Sequence, residues 1–335
     1  MPGVGVMREA LFYKRLAGDR VQCELCPRAC VIPPGGRGFC RVRRHGGAGL
    51  ITENYLRCAS YALDPIEKKP LYHFYPGSTI FSLGTWGCNF TCQFCQNWQI
   101  AQGEPQTTAL SPAQVVEVVR AYAAGANCIG AAYTYSEPVV WYEFVLETAQ
   151  AVRRAGYKNV LVTNGYIAEE PLRQLLPYID AMNIDVKAFQ ADFYRQICGG
   201  DLETVKRTAE MAVKHCHVEL TTLLIPDMND SREEIEALTA WVATRLNPDV
   251  PLHFSRYFPH YKFDKPPTPL EKMQEAREIA RRRLRYVYLG NVGGRDSNTY
   301  CDQCAALLIE RDRRHSYLTP DKKCPRCGAR IPIVG

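Results

Sequence analysis

The chain has 335 residues, 46% hydrophobic and 23% charged, the proportions of an ordinary globular protein with one large domain and small appendages, or two domains. Basic residues outnumber acidic ones by 41 to 35, and part of that +6 excess sits in the arginine cluster at 281–285, where it reads as a helix-end dipole interaction and not as a nucleic-acid patch. No apolar run reaches the length of a membrane span, residues 1–18 lack the apolar core of a secretory signal, and a cytoplasmic protein is expected.

Fifteen cysteines in such a protein argue for metal binding over a disulfide framework. Eleven fall into three sets, and Cys58, Cys128, Cys198 and Cys216 are left as packed, isolated thiols.

Residues 1–75 form a cysteine-rich segment. Residues 8–16 are predicted as a short helix. Cys23, Cys26, Cys30 and Cys40, with Gly35, Gly36 and Gly38 between the last two, suggest a metal-tied turn holding zinc or a second iron–sulfur cluster. Reduced cysteines in a packed loop are the plainer reading. Residues 49–63 suggest one or two strands, and residues 64–71, with prolines bracketing charges, an extended surface segment.

Residues 76–292 change pattern. Apolar runs at 79–84, 128–133, 158–163, 180–186, 217–224 and 251–257 read as strands, and periodic segments at 112–125, 139–155, 169–177, 202–215, 232–246 and 270–285 as helices. Ser111, Ser231 and Thr268 each begin a capping-box pattern. Six β/α units predict a parallel sheet, which this pattern alone leaves as either a doubly wound sheet or a barrel. Residues 286–290 add one more strand, and Gly293 and Gly294 a flexible exit.

Residues 293–335 carry two C-x2-C knuckles, Cys301/Cys304 and Cys324/Cys327, in a zinc-ribbon or rubredoxin-like pattern. Closed four-sulfur coordination stabilises a small domain with little core, and suits zinc or iron.

The loop after the first strand carries Cys88, Cys92 and Cys95 at C-x3-C-x2-C spacing. Four-iron clusters normally take four cysteines, so three leave one iron open to a substrate or cosubstrate. Phe94, Trp86 and Phe90 would keep water off the metal. A zinc knuckle, or a structural cluster closed by a distant fourth cysteine in a scaffold protein, is the competing reading. Functional groups of parallel β/α folds lie at the C-terminal ends of strands. Those ends carry Glu137 before Pro138, the Thr163-Asn-Gly-Tyr166 turn, Asn183, Asp185 and Lys187 on one side of the fourth strand, and His253, Ser255, Arg256 and His260 around the sixth. Glu137 could equally be an ordinary helix-start acid, and a lone histidine is usually structural.

Over nearly its whole length the chain resembles the radical S-adenosylmethionine (SAM) superfamily, in the branch of the pyruvate formate-lyase activating enzyme. The cysteine-rich N-terminus, residues 64–71 and the terminal ribbon look most like the radical SAM member of the AmmeMemoRadiSam system, named for co-occurring Memo-type and AMMECR-type proteins. The resemblance implies a partial (β/α)6 TIM-like barrel, a [4Fe-4S] cluster on Cys88, Cys92 and Cys95, and SAM on the open iron. It implies that Glu137 takes the SAM amino group, and that Asp185, Lys187 and His260 lie near its carboxylate. Two positions depart from the activases: Thr134, Tyr135 or Ser136 stands where they carry an assisting asparagine, and Val162 where they carry an aspartate. The implied reaction is reductive cleavage of SAM to a 5′-deoxyadenosyl radical that abstracts hydrogen from a substrate, fed by a low-potential donor such as flavodoxin or ferredoxin. An activase that installs a glycyl radical on a partner enzyme is the alternative.

Overall fold

The computed structural model describes residues 7–292 and 297–335, so the expected Gly293–Gly294 exit lies outside the described residues. Seven strands run parallel in chain order: Thr79–Gly84, Cys128–Tyr133, Lys158–Thr163, Ala181–Asp185, His217–Leu224, Leu252–Arg256 and Val287–Gly290. They are buried on both faces, as continuous apolar runs require when helices cover the outside. Each pairs with its sequence neighbour, and the order never reverses as it does at the switch point of a doubly wound sheet. Ser60–Pro65 extends one edge antiparallel to Thr79–Gly84. It does not meet Val287–Gly290 at the far edge, so the curved sheet is an incomplete barrel.

The helices start where polar caps can hold them. Ser111 makes the full capping box with Gln114, and the Ser231 hydroxyl accepts from the Glu234 N–H at 3.2 Å. Thr268 does not cap the helix Leu270–Arg281. Its hydroxyl is recruited into the barrel instead, donating to the Leu224 carbonyl at 2.6 Å and accepting from the Tyr257 N–H at 3.0 Å.

Two expectations for the N-terminal segment are corrected. Residues 8–16 are strands, not a helix: Arg8–Glu9 pairs with Leu50–Thr52, and Tyr13–Leu16 forms a hairpin with Arg20–Cys23. Gly18 and Asp19 both adopt positive φ there, the conformation that a tight hairpin turn needs. Residues 64–71 are not a surface segment. Asp64 pairs with Ile80 in the sheet, Ile66 and Leu71 are fully buried, and both pack with Ile80, Ala132, Val160 and Ala181. Fully burying such side chains stabilises the fold by about 1.5–3 kcal/mol each, which holds this segment in place despite its charges.

The terminal ribbon is a three-stranded antiparallel sheet of Thr299–Tyr300, Leu307–Glu310 and His315–Ser316. It is joined to the barrel by polar bonds: the His73 ring meets the Tyr288 hydroxyl at 2.7 Å, and that hydroxyl meets Thr299 Oγ1 at 2.8 Å. Beneath them His253 Nε2 lies 2.6 Å from the fully buried Glu219. His253 is a packed structural histidine.

Candidate active site at the open end of the barrel

The loops after the parallel strands enclose a cavity of about 430 Å³ lined by Cys88, Phe94, Glu137, Asp185 and Lys187, with Cys92 and Cys95 beside them. The cysteine loop is held from several sides. The Phe90 N–H points at Cys88 Sγ (3.3 Å), the Asn164 amide lies 3.7 Å from the same sulfur, and Thr91 N–H donates to the Cys198 carbonyl at 2.9 Å. Phe90 and Phe94 are buried, and Gly200 lets Phe90 close in, since a Cβ there would stand 2.1 Å from the ring.

Burial pushes the Cys88 thiol well above its usual range and Cys95 up to about 11. A hydrogen bond with Cys198, and then burial, raise Cys92. Thiols in such a site ionise when a cationic metal group compensates them, so the donor set fits an iron–sulfur cluster. Cys198 sits behind Cys92 and does not line the cavity, and no fourth cysteine is among the lining residues.

Glu137 is 2% exposed at the start of the short turn Pro138–Trp141. Its Oε1 accepts from Val139 N–H at 3.0 Å and the Thr163 hydroxyl at 2.7 Å, and Oε2 from Asn164 N–H at 2.8 Å. Burial nevertheless pushes its pKa up to about 7, against those donors. A carboxylate so placed gains most from one more donor, and an ammonium group is the donor that suits it. Lys187 Nζ lies 2.6 Å from Asp185 Oδ2. Burial opposes its charge, but Asp185 and the neighbouring Cys92 outweigh that and raise the ammonium pKa. Asn183 shares their side of the strand but sits deeper, bonded to the Pro70 carbonyl at 2.9 Å and the Thr221 hydroxyl at 3.0 Å.

His260 is placed differently: it is exposed and does not line the cavity. Its turn buttresses the cysteine loop from outside, through Lys262 N–H on the Gln93 carbonyl (3.0 Å) and Phe263 against Phe94 (5.9 Å between centroids). Ser255 is the sixth strand's contribution to the lining.

Sequence reasoning missed a charged wall. Asp64, Lys68 and Lys69 line the same cavity, together with Tyr135 from the loop after the second strand. Asp64 Oδ2 accepts from Lys69 Nζ and from the Tyr135 hydroxyl, both at 2.8 Å, and the Lys69 ammonium lies 4.8 Å from the Tyr135 ring centre. Burial opposes ionised Asp64, yet Lys69, Tyr135 and Lys68 hold its carboxyl well below the usual range. Tyr135 carries a φ of +72°, uncommon for a bulky residue and frequent at functional sites. The paired lysines between prolines were the available signal.

The other cysteine sets gather as well. The four ribbon sulfurs all lie within 4.8 Å of one another, with Cys301–Cys327 and Cys304–Cys324 each at 3.6 Å. Zinc–sulfur bonds of ~2.3 Å in a tetrahedron put sulfurs about 3.8 Å apart, so the ribbon is sized for a single ion. Cys23, Cys26, Cys30 and Cys40 line one small void near the cysteine loop.

A sequence model described as the Radical SAM superfamily matches residues 83–240. The chain is 45% identical over 339 residues to uncharacterized protein MJ0808 of Methanocaldococcus jannaschii, covering 98% of this chain and 100% of that one. This chain belongs to the radical SAM superfamily. It is also 23% identical over 160 residues to the pyruvate formate-lyase 1-activating enzyme of Escherichia coli, a match covering 45% of this chain and 63% of that enzyme. Its fold resembles that of SuiB from Streptococcus suis bound to S-adenosylmethionine, at a TM-score of 0.51 and 14% identity, covering 66% of this chain and 53% of that one. As a radical SAM enzyme it uses a [4Fe-4S] cluster and SAM, and the three sulfurs, the open cavity and the buried carboxylate suit both. Among the described residues no helix is long and apolar enough to cross a membrane.

Proposed function

We propose that this radical SAM enzyme abstracts hydrogen from a small substrate held against the wall of Asp64, Lys68, Lys69 and Tyr135. A [4Fe-4S] cluster on Cys88, Cys92 and Cys95, when bound, supplies the electron that splits SAM into methionine and a 5′-deoxyadenosyl radical. Glu137 accepts from the SAM amino group, using the lone-pair capacity that Val139, Thr163 and Asn164 leave. Lys187 faces the SAM carboxylate and is steered by Asp185. Phe94 excludes water from the cysteine side. The observation that carries the reading is that these groups and the second charged wall line one cavity.

The donor is a low-potential protein of the flavodoxin or ferredoxin type, and Memo-type and AMMECR-type proteins are the partners the resemblance suggests. The second reading, a glycyl-radical activase, is favoured by the names of distant relatives, including the (2S)-3-sulfopropanediol dehydratase activating enzyme of Klebsiella oxytoca, 23% identical over 118 residues. Size-fractionated cell extract separates the two. Faster 5′-deoxyadenosine formation with the small-molecule fraction, abolished in Lys69→Ala, is the expected result. Stimulation by the protein fraction alone would replace this reading with the activase.

A further inference from the structure

We propose that Cys23, Cys26, Cys30 and Cys40 hold a second four-iron cluster and not a zinc ion. The four cysteines come from two chain segments and line one void with Arg28, Arg43 and Asn89. The backbone is already shaped for this. Cys23 N–H donates to the Cys30 carbonyl at 2.9 Å, closing the first loop, and Gly38 N–H to the Arg43 carbonyl at 2.8 Å, closing the second. Ala29 and Arg41, beside Cys30 and Cys40, both hold positive φ.

Sulfur spacing selects the metal. Among the described residues, the ribbon sulfurs alone gather with all members within 4.8 Å of one another. The N-terminal four share one void yet do not close to that spacing, and neither do the active-site three. A single zinc ion needs sulfurs about 3.8 Å apart. A four-iron cube binds each thiolate at a different corner and keeps them further apart. The N-terminal set therefore shares with the active-site cysteines, and not with the ribbon, sulfurs that line a void without closing around a single ion.

Charge agrees with an anionic group in this void. Arg43 is 1% exposed, and its Nη1 lies 3.8 Å from Cys23 Sγ. It pairs with the equally buried Glu143, but its Nε has no hydrogen-bond partner. A buried cation held against the cysteines offsets the negative charge of a thiolate-bound cluster.

The void also adjoins the active-site loop. The Cys40 carbonyl packs on Gly87, where a Cβ would come within 2.6 Å of it, and Cys88 follows directly. Asn89 lines the void, and its side-chain oxygen accepts from Asn164 (2.9 Å), the amide that reaches Cys88 Sγ. A cluster here is placed to take one electron from the low-potential donor protein and pass one to the active-site cluster, returning to its oxidised level with no bond made and no proton moved. That role rests on the SAM-cleaving reading; the cluster itself does not.

Acid-labile sulfide decides the matter, because zinc brings none and the ribbon's ion contributes none. Anaerobically reconstituted wild type is expected to hold about eight sulfides per chain, and Cys88→Ala/Cys92→Ala/Cys95→Ala about four, with a one-electron-reduced cluster signal by electron paramagnetic resonance. Adding Cys26→Ala to the triple variant should remove both. About four sulfides in wild type, with two zinc ions per chain, would overturn the second cluster. The readouts of the triple variant need neither the active-site cluster nor SAM chemistry, so failure of the proposed function would leave them unchanged.

Discussion

The ribbon sulfurs surround the space of one ion, with pairs 3.6 Å apart, whereas Cys88, Cys92 and Cys95 spread around one side of a cavity of about 430 Å³. The ribbon would spend all four donors on one ion and faces its own small sheet, so a metal bound there would tie a little-cored unit together. The barrel site places three donors and leaves the remaining approach to Glu137, Asp185 and Lys187. The number of sulfurs and what faces them separate a structural metal from one that meets a cosubstrate.

The largest expected effect contrasts the two directly. Cys327→Ala should make the ribbon sensitive to proteolysis while SAM affinity changes by less than ~threefold, since local unfolding need not reach the barrel. Cys88→Ala should lose the active-site cluster and all SAM cleavage while the ribbon keeps its ion. Equal loss of SAM binding in both variants would erase the distinction.

Glu137→Gln comes next. Replacing a charge-assisted bond to an ammonium with a neutral one should weaken SAM binding by ~10- to 100-fold, about 1.5–3 kcal/mol, measured by calorimetry on the reconstituted protein. The same residue sets a pH dependence. Its free-state pKa is raised to about 7, so below that it is mostly neutral, and binding an ammonium must first ionise it. SAM affinity should fall as pH drops below 7, approaching ~tenfold per unit, and should be highest between pH 7 and the ordinary α-amino range of about 8. Glu137→Gln should flatten that profile between pH 6 and 8.

Much of this site was legible because chemistry in parallel β/α folds collects at strand ends, and the strands are strongly apolar. The runs at 79–84, 128–133, 158–163 and 217–224 match the observed strands residue for residue. Glu137, Asp185 and Lys187 are thus legible as one set from the strand pattern, and they line one cavity. Asp64 and Lys69 could not. They reach the cavity through the antiparallel pairing of Ser60–Pro65 with Thr79–Gly84, a long-range contact that no local period encodes. His260 is placed differently from that set for a related reason: its turn lies beside the cysteine loop, but the residue is exposed and does not line the cavity. Residues 8–16 went astray because the Gly18–Asp19 turn makes a hairpin out of a stretch with helix-compatible spacing.

The smallest expected effect lies on the charged wall. Tyr135→Phe removes one hydrogen bond to Asp64 and should lower stability by about 0.5–1.5 kcal/mol in denaturant unfolding, leaving SAM affinity unchanged. A large loss of SAM affinity would move that wall from the substrate side to the SAM side.

The central claim is tested most directly by 5′-deoxyadenosine formation from SAM and dithionite, comparing anaerobically reconstituted wild type with Cys88→Ala. Product from the wild type and none from the variant is the predicted result. A wild-type protein with full iron and sulfide that neither binds SAM nor forms 5′-deoxyadenosine would contradict it, and would make the barrel cluster structural like the ribbon's ion.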